Sequence, residues 1–457
     1  MSRIKQTGIN RRQFLQRSSF AAASLAATPG LAWSQVVGGA GSFNDYRALV
    51  CVFLFGGNDS FNMLVPRSNA EYNVYAAARQ NLAIAQSDLL PIAPVPGDGV
   101  DYGLHPSMAG IQRLFENSAA AFVSNVGPLL QPTTKTQIYD QSANLPPQLF
   151  SHNDQQDQWL SLKGKATSST GWAGRMADLI RTAVSSQQMA TNVSLNGSNL
   201  FQSADETIAY VMGPNGPLQF EGFSTDPAEL LFEQRLAFER ILAADYGSVY
   251  ERAFADVQQR AIKAADAVSM AIAGAPAMNT VFPGSQLGQQ LETVAKLIAV
   301  RDELQMQRQV FFVAAGGFDS HDKQNEDQPA LLGGVSESIK AFYDASVELG
   351  FSDQVTTFTQ SDFGRTLTSN GDGTDHAWGG NQIVVGDAVQ GRRIIGTYPL
   401  LEIDGADDVG GGRMIPGTSA DQYAATLAKW FGIDDSELSV VAPNINNFAV
   451  RDLGFMI

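Results

Sequence analysis

The run Arg47–Phe55 (RALVCVFLF) is apolar at every position after the first and stops at Gly56-Gly57. The run Gln309–Ala315 (QVFFVAA) is built in the same way and stops at Gly316-Gly317. A half-exposed strand alternates apolar with polar residues. A strand apolar throughout must be covered on both faces, as in a parallel sheet between layers of helices. A third such run, Ala119–Val126, ends at Gly127-Pro128, and further strands are expected at Gln354–Thr359 and Asn381–Val385. Helical spacing covers Ser107–Phe115, Asp226–Ala273, Leu287–Met306, Val335–Leu349 and Asp421–Phe431, the last closed by Gly432. The polar, Pro-containing stretch Gln131–Phe150 reads as a long loop. The alternation predicts an α/β fold with a mostly parallel sheet and helices on both faces. No internal repeat or linker divides residues 35–457, which read as one domain with a helical insertion over about 226–306.

The first 34 residues do not fit that domain. Arg3, Lys5, Arg11, Arg12 and Arg17 precede any acid, a short Ala-rich stretch follows from Ser18 to Leu31, and Ala32-Trp33-Ser34 offers a cleavage site. Arg11-Arg12-Gln13-Phe14-Leu15 resembles a twin-arginine export signal, so the twin-arginine machinery is an expected partner and the mature protein is expected in the periplasm or secreted. The apolar stretch is too short for a membrane span, which needs ~20 residues. The chain carries a net charge of −16, and removal of the leader takes away five positive charges and no negative ones, leaving −21. That acidity argues against nucleic acid as a partner, because phosphate neutralisation needs cationic faces. Cys51 is the sole cysteine, which excludes an intramolecular disulfide and a cysteine metal cluster.

Chemistry-bearing residues gather just after the predicted strands, the edge where open α/β sheets bind ligands. They are Gly56-Gly57-Asn58-Asp59-Ser60, Gly316-Gly317-Phe318-Asp319-Ser320-His321-Asp322, Ser361-Asp362-Phe363-Gly364-Arg365-Thr366 and the loop Asn370–His376. Asp319 and His321 are two apart, and in an extended segment they would face one side, roughly 6–7 Å apart along the backbone. With Asp375 and His376 they could hold one divalent ion (Zn, Mn, Mg or Ca), and Asp59 could add a bridging carboxylate. An Asp after Gly-Gly is equally a turn or cap residue. Ser151 and His152 open a short helix. There Ser151 is either a nucleophile facing an anion at the helix amino terminus or a capping residue paired with Asp154. Arg365 could grip the same anion as a bidentate fork, or pair with acids. His105 precedes Pro106 at another helix start. No Walker glycine loop, Gly-x-Ser-x-Gly elbow or Gly-x-Gly-x-x-Gly fingerprint is present.

Taken together, the motifs resemble the exported bacterial domain-of-unknown-function family 1501, grouped with the alkaline-phosphatase-like fold. They are Phe55–Pro66 (FGGNDSFNMLVP), Gly103-Leu104-His105-Pro106, Ser151-His152 with Trp159, and Gly171-Trp172-Ala173-Gly174-Arg175. Further along come Gly317-Phe318-Asp319-Ser320-His321, Asp362-Phe363-Gly364-Arg365-Thr366, Thr374–Gly380 and Asp421–Leu427 with Trp430-Phe431-Gly432. The resemblance implies an early Asp, a Ser nucleophile at a helix start, and late Asp/His pairs holding two metals. Asp59, Ser151, Asp319 with His321, and Asp375 with His376 would fill those places. Two departures stand out: one residue separates Asp319 from His321, and no His follows His376. One of the two implied ion sites is thereby short of a ligand. The C/S-x-P-x-R motif of the sulfatase branch is also missing.

The expected function is therefore an exported metal-dependent hydrolase of phosphate, less readily sulfate, esters, on a small molecule or attached to a polymer. Ser151, His152 and Arg365 would be catalytic, and the metal would be a Lewis acid held by Asp59, Asp319, His321, Asp375 and His376. The alternative is a non-catalytic periplasmic or surface binding protein that keeps the fold.

Overall fold

The computed structural model describes residues 43–164, 168–217, 224 and 226–457. The leader expected over 1–34 lies outside them. The apolar runs form β1 (Arg47–Leu54), β2 (Ala120–Gly127) and, with four short strands, most of one sheet. Its other members are β3 (Asn192–Ser194), β4 (Tyr210–Val211), β5 (Arg308–Ala315), β6 (Val355–Ser361), β7 (Gly380–Val385), β8 (Ile394–Ile395) and β9 (Thr418–Ser419). The order is β8-β2-β7-β6-β1-β5-β3-β4, with β9 also on β2. β1 pairs in parallel with β5 and β6, in register at Cys51–Phe312 and Cys51–Phe358. Only β7 runs against its neighbours β2 and β6. The sheet is mostly parallel, as the continuous apolar runs required.

Each central strand feeds two separate cores. In β1, Ala48, Val50, Val52 and Leu54 face one core, and Leu49, Cys51 and Phe53 face the other. The first core is covered by α2 (Ala109–Glu116), α7 (Gln286–Ala299) and α8 (Gln324–Glu348), and the second by α4 (Trp172–Ile180) and α9 (Ala420–Phe431). The other helices of more than five residues are α1 (Asn69–Arg79), α3 (His152–Ser161), α5 (Leu230–Leu242) and α6 (Val249–Ala273), and a short helix, Lys135–Tyr139, interrupts the expected loop over Gln131–Phe150. Within 226–306, α5 contributes Phe238 and Leu242, and α6 contributes Ala255 and Ile262, to a small cluster of their own. The end of α6 also reaches the main core through Val268 and Ala271, and α7 lines it through Leu291, Val294 and Ile298. Among the described residues no helix is long and apolar enough to cross a membrane.

α8 begins eleven residues before the expected Val335, with Pro329 inside it. Pro removes one backbone donor near the helix start, but Gln324, Gln328 and Leu332 are buried and anchor the early turns. This extension matters, because Gln324 reaches the functional edge. That edge is formed by the carboxyl ends of β1, β5 and β6. Because β7 is antiparallel to β6, its leading residues, Thr374–His376, arrive at the same edge.

Candidate metal centre

The loop after β5 is a tight turn and not the extended segment expected: the amides of Ser320 and His321 donate to the carbonyls of Phe318 and Asp319, each at 2.9 Å. Gly56 makes room for it. At φ +116°, a Cβ on Gly56 would lie 2.3 Å from the Asp319 amide nitrogen. The turn still brings both side chains to one point. His321 Nε2 lies 3.1 Å from Asp319 Oδ1 and 2.9 Å from His376 Nε2. His376 Nε2 is 3.4 Å from Asp319 Oδ1, and His152 Nε2 is 3.5 Å from Asp319 Oδ2. Three imidazoles and one carboxylate thus converge from the β5 loop, the start of β7 and the first turn of α3. The donor atoms of His152, Asp319 and His376 all lie within 4.8 Å of one another.

The outer nitrogen of each ring fixes what its inner nitrogen offers. His376 Nδ1 contacts the Phe150 carbonyl at 2.7 Å and must carry the proton. His152 Nδ1 lies 2.7 Å from Asp362 Oδ2, and His321 Nδ1 lies 3.2 Å from Asp375 Oδ1, so carboxylates assign those protons too. All three Nε2 atoms then present lone pairs, to one another and to the Asp319 carboxylate. Lone pairs brought to 2.9–3.5 Å, as His321 to His376 and each ring to Asp319, repel unless a cation lies among them. A tetrahedral ion with bonds of about 2.0–2.2 Å spaces its ligands by roughly 3.3–3.6 Å; His152, Asp319 and His376 form a set compact enough to share an ion, and His321 stands beside two of them. A proton on one ring is the alternative cation, but burial, followed by the neighbouring His152, Arg365 and His321, lowers the His376 pKa despite the Phe150 carbonyl. For Asp319 burial pushes the pKa up, yet the Arg365 hydrogen bond and charge, with His321 and His152, bring it below the usual range. Asp319 and His321 stay 46% and 44% exposed, which leaves one side open to a ligand.

The remaining candidates fall elsewhere. Asp375 does not join the cluster directly; with Asn370 Nδ2 at 3.2 Å on the same oxygen, it orients His321. Arg365 is not free to grip an anion. Fully buried, it donates through Nη1 to Asp319 (2.8 Å) and the Gly56 carbonyl (3.2 Å), through Nε to Thr374 Oγ1 (3.2 Å), and through Nη2 to the Thr374 carbonyl. Its role is to fix Asp319. Asp59 is sealed in the interior and paired with Arg79 of α1, and among the described residues it joins no donor group with the three imidazoles. Ser151 stands at the α3 N-cap, but its hydroxyl donates to Asp154 Oδ2 at 2.6 Å and caps no amide. His105 stays apart from the other three, its Nδ1 accepting from the Ser107 amide at 3.1 Å.

Residues 46–442, carrying every one of these groups, match a protein family described as being of unknown function (DUF1501). The chain belongs to that family. No curated protein matches this DUF1501 chain. Among solved structures it is similar to a protein crystallised with k-i-k-neocarrahexaose, at 9% identity and TM-score 0.31, covering 86% of this chain and 74% of that one. It is also similar to a sulfatase from Pseudoalteromonas sp., at 8% identity and TM-score 0.33, covering 90% and 73%. A third is a protein of glycosaminoglycan metabolism from Bacteroides thetaiotaomicron, at 11% and 0.32, covering 86% and 74%. These likenesses are too distant to transfer an activity.

Three groups of the DUF1501 site were not identified from sequence. Asp362, wholly buried, holds His152 from 210 positions away, and Gln156 Nε2 shares its Oδ2 at 2.8 Å. The Phe150 carbonyl belongs to the backbone and has no sequence signature. Arg413 donates to the His376 carbonyl at 3.2 Å and lies 5.3 Å over the Phe150 ring, so a half-buried cation stands beside the histidines. For Asp362, its position directly after a buried strand was the available signal.

Proposed function

We propose that this protein is a metal-dependent hydrolase of anionic esters, of phosphate in preference to sulfate. The observation that carries the reading is the convergence of His152, His321, His376 and Asp319 with every outer imidazole nitrogen already engaged. A divalent ion held there supplies Lewis-acid polarisation of a phosphoryl oxygen and neutralises charge on the ester. The chain's own residues keep that site rigid. Asp362, Asp375 and the Phe150 carbonyl set the tautomer and direction of the three rings, and Arg365 holds Asp319 ionised and in place. Ser151 lies between Phe150, which anchors His376, and His152. Its hydroxyl proton already points at Asp154, so attack by Ser151 Oγ on phosphorus would pass that proton to Asp154 as the P–O bond to the leaving group breaks, and the departing alkoxide would take a proton from solvent to leave as the alcohol. Water then hydrolyses the phosphoserine. Arg413 places positive charge where the anionic ester approaches. Preference for phosphate is supported by the missing C/S-x-P-x-R motif, and placement outside the cytoplasm by the Arg11-Arg12 leader.

The test is turnover of activated aryl phosphate, phosphodiester and sulfate substrates by protein purified without tag-derived nickel and loaded with Zn, Mn, Mg or Ca. Turnover of phosphate that chelation abolishes is expected, and Ser151→Ala should remove it while the bound ion stays. Turnover unchanged in Ser151→Ala would take the nucleophile role from Ser151. No turnover of any substrate by the loaded protein would favour the binding-protein reading.

A further inference from the structure

Two of the carboxylates at this sheet edge, Asp319 and Asp59, each have their own guanidinium. Asp319 faces solvent and is held by Arg365. Asp59, only 1% exposed, accepts at Oδ2 from Arg79 Nη2 and from Gln324 Nε2. Arg79 is fully buried, and its Nη1 donates to the carbonyls of Thr366 (2.9 Å) and Leu367 (3.4 Å), which pins the guanidinium to the segment following Arg365. The two pairs are joined through side chains. Thr374 Oγ1 donates to Gln324 Oε1 at 2.7 Å and accepts from Arg365 Nε at 3.2 Å. Asp59 Oδ1 has no hydrogen-bond partner, yet among the described residues no set of three His, Cys, Asp or Glu donors forms around it. His105, whose charge interaction with Asp59 is felt, spends its Nδ1 lone pair on the Ser107 amide, so its Nε2 carries the proton and is no ligand.

We infer that the site takes a single divalent ion, and that Arg79 acts as the fixed counter-cation of Asp59 where a bridging carboxylate would otherwise share a second ion. The inference rests on the metal reading of the His152–His321–His376–Asp319 cluster. Asp319 also has a buried guanidinium beside it, but it is half exposed and faces imidazoles that can share an ion. A second divalent ion on Asp59 would find no such set among the described residues and would sit against Arg79 out of reach of solvent, where like charges at contact distance repel strongly. Asp59 is therefore neutralised internally, and the two-ion clamp that stabilises both the attacking and the leaving oxygen is closed to this chain.

Equilibrium dialysis of chelator-stripped full-length protein against micromolar free zinc or manganese, with bound metal counted by elemental analysis, tests this directly. Wild type should bind one equivalent. Asp59→Asn should also bind one, with affinity within about threefold, since Asn still accepts from Arg79 and Gln324. Should Asp59→Asn fail to fold, the Asp59→Asn/Arg79→Met double variant, which leaves no buried charge unpaired, should bind one equivalent as well. Two equivalents in wild type falling to one on loss of Asp59, or affinity reduced tenfold or more, would overturn the inference and leave the four-residue cluster standing. No bound equivalent in wild type would remove the metal reading itself.

Discussion

Replacing Asp362 by Ala removes the acceptor that aims His152 at the cluster. The carboxylate is fully buried, and its Oδ2 takes His152 Nδ1 at 2.7 Å and Gln156 Nε2 at 2.8 Å. Without it the imidazole can rotate or change tautomer, and its Nε2 no longer presents a lone pair toward Asp319. Loss of such an outer partner weakens ion affinity by about 10–100-fold, equivalent to about 1.4–2.7 kcal/mol. Global stability should move less. Asp362 Oδ1 is buried without a partner, so the substitution relieves a desolvation penalty as it deletes two hydrogen bonds. Zinc competition against a chromophoric chelator measures the affinity, and urea unfolding of the metal-free protein controls for folding. Asp362→Asn retains an acceptor oxygen and should recover affinity to within about threefold of wild type. Asp362→Ala binding zinc as tightly as wild type would refute the positioning argument.

Arg365→Met leaves the Gly56 and Thr374 carbonyls without their donor and Asp319 without its partner; because Asp319 is half exposed, the expected loss is about 2–3 kcal/mol in urea unfolding, below that of a fully buried pair. A loss under about 0.5 kcal/mol, the range of an ordinary surface change, would mean that Arg365 does not hold the site together. His105 predicts a pH dependence. Burial lowers its pKa from 6.5 to about 4, Asp59 opposing, so between those values the unfolded chain binds more protons and stability rises with pH, a contribution complete above 6.5 and lost as pH falls through the folded value. Wild type should lose up to about 3 kcal/mol more than His105→Asn between pH 7 and pH 4. Asp421, raised to about 7 by burial against the Asn444 hydrogen bonds, acts in the opposite sense but equally in both proteins, and parallel pH profiles would contradict the assignment.

The strands that position the site were legible because they are apolar along their whole length, and that pattern has few explanations. β3, β4, β8 and β9 have two or three residues each and are too short to show a period, so they were missed. The start of α8 was hidden by Pro329, whose local preference was overridden by burial of Gln324 and Gln328. At the site, Asp319, His321 and His376 could be selected because scarce histidines lay beside acids at strand tips. What such proximity could not supply was pairing in space. Local sequence presents Asp59 and Arg365 as groups available to a metal and an anion, whereas each is committed to an ion pair, with Arg79 twenty positions on and with Asp319 forty-six positions before. Asp375 likewise serves His321 from 54 positions away, a relation no local spacing records.

The central claim is that three imidazole Nε2 atoms and the Asp319 carboxylate form one cation site. Anomalous diffraction at the zinc edge from crystals of the zinc-loaded full chain tests it most directly. A single peak bonded to His152, His321 and His376 through Nε2, at about 2.0–2.1 Å, and to Asp319 is expected. A zinc-loaded crystal with no peak among these four side chains, or with its peak on Asp59, would contradict it.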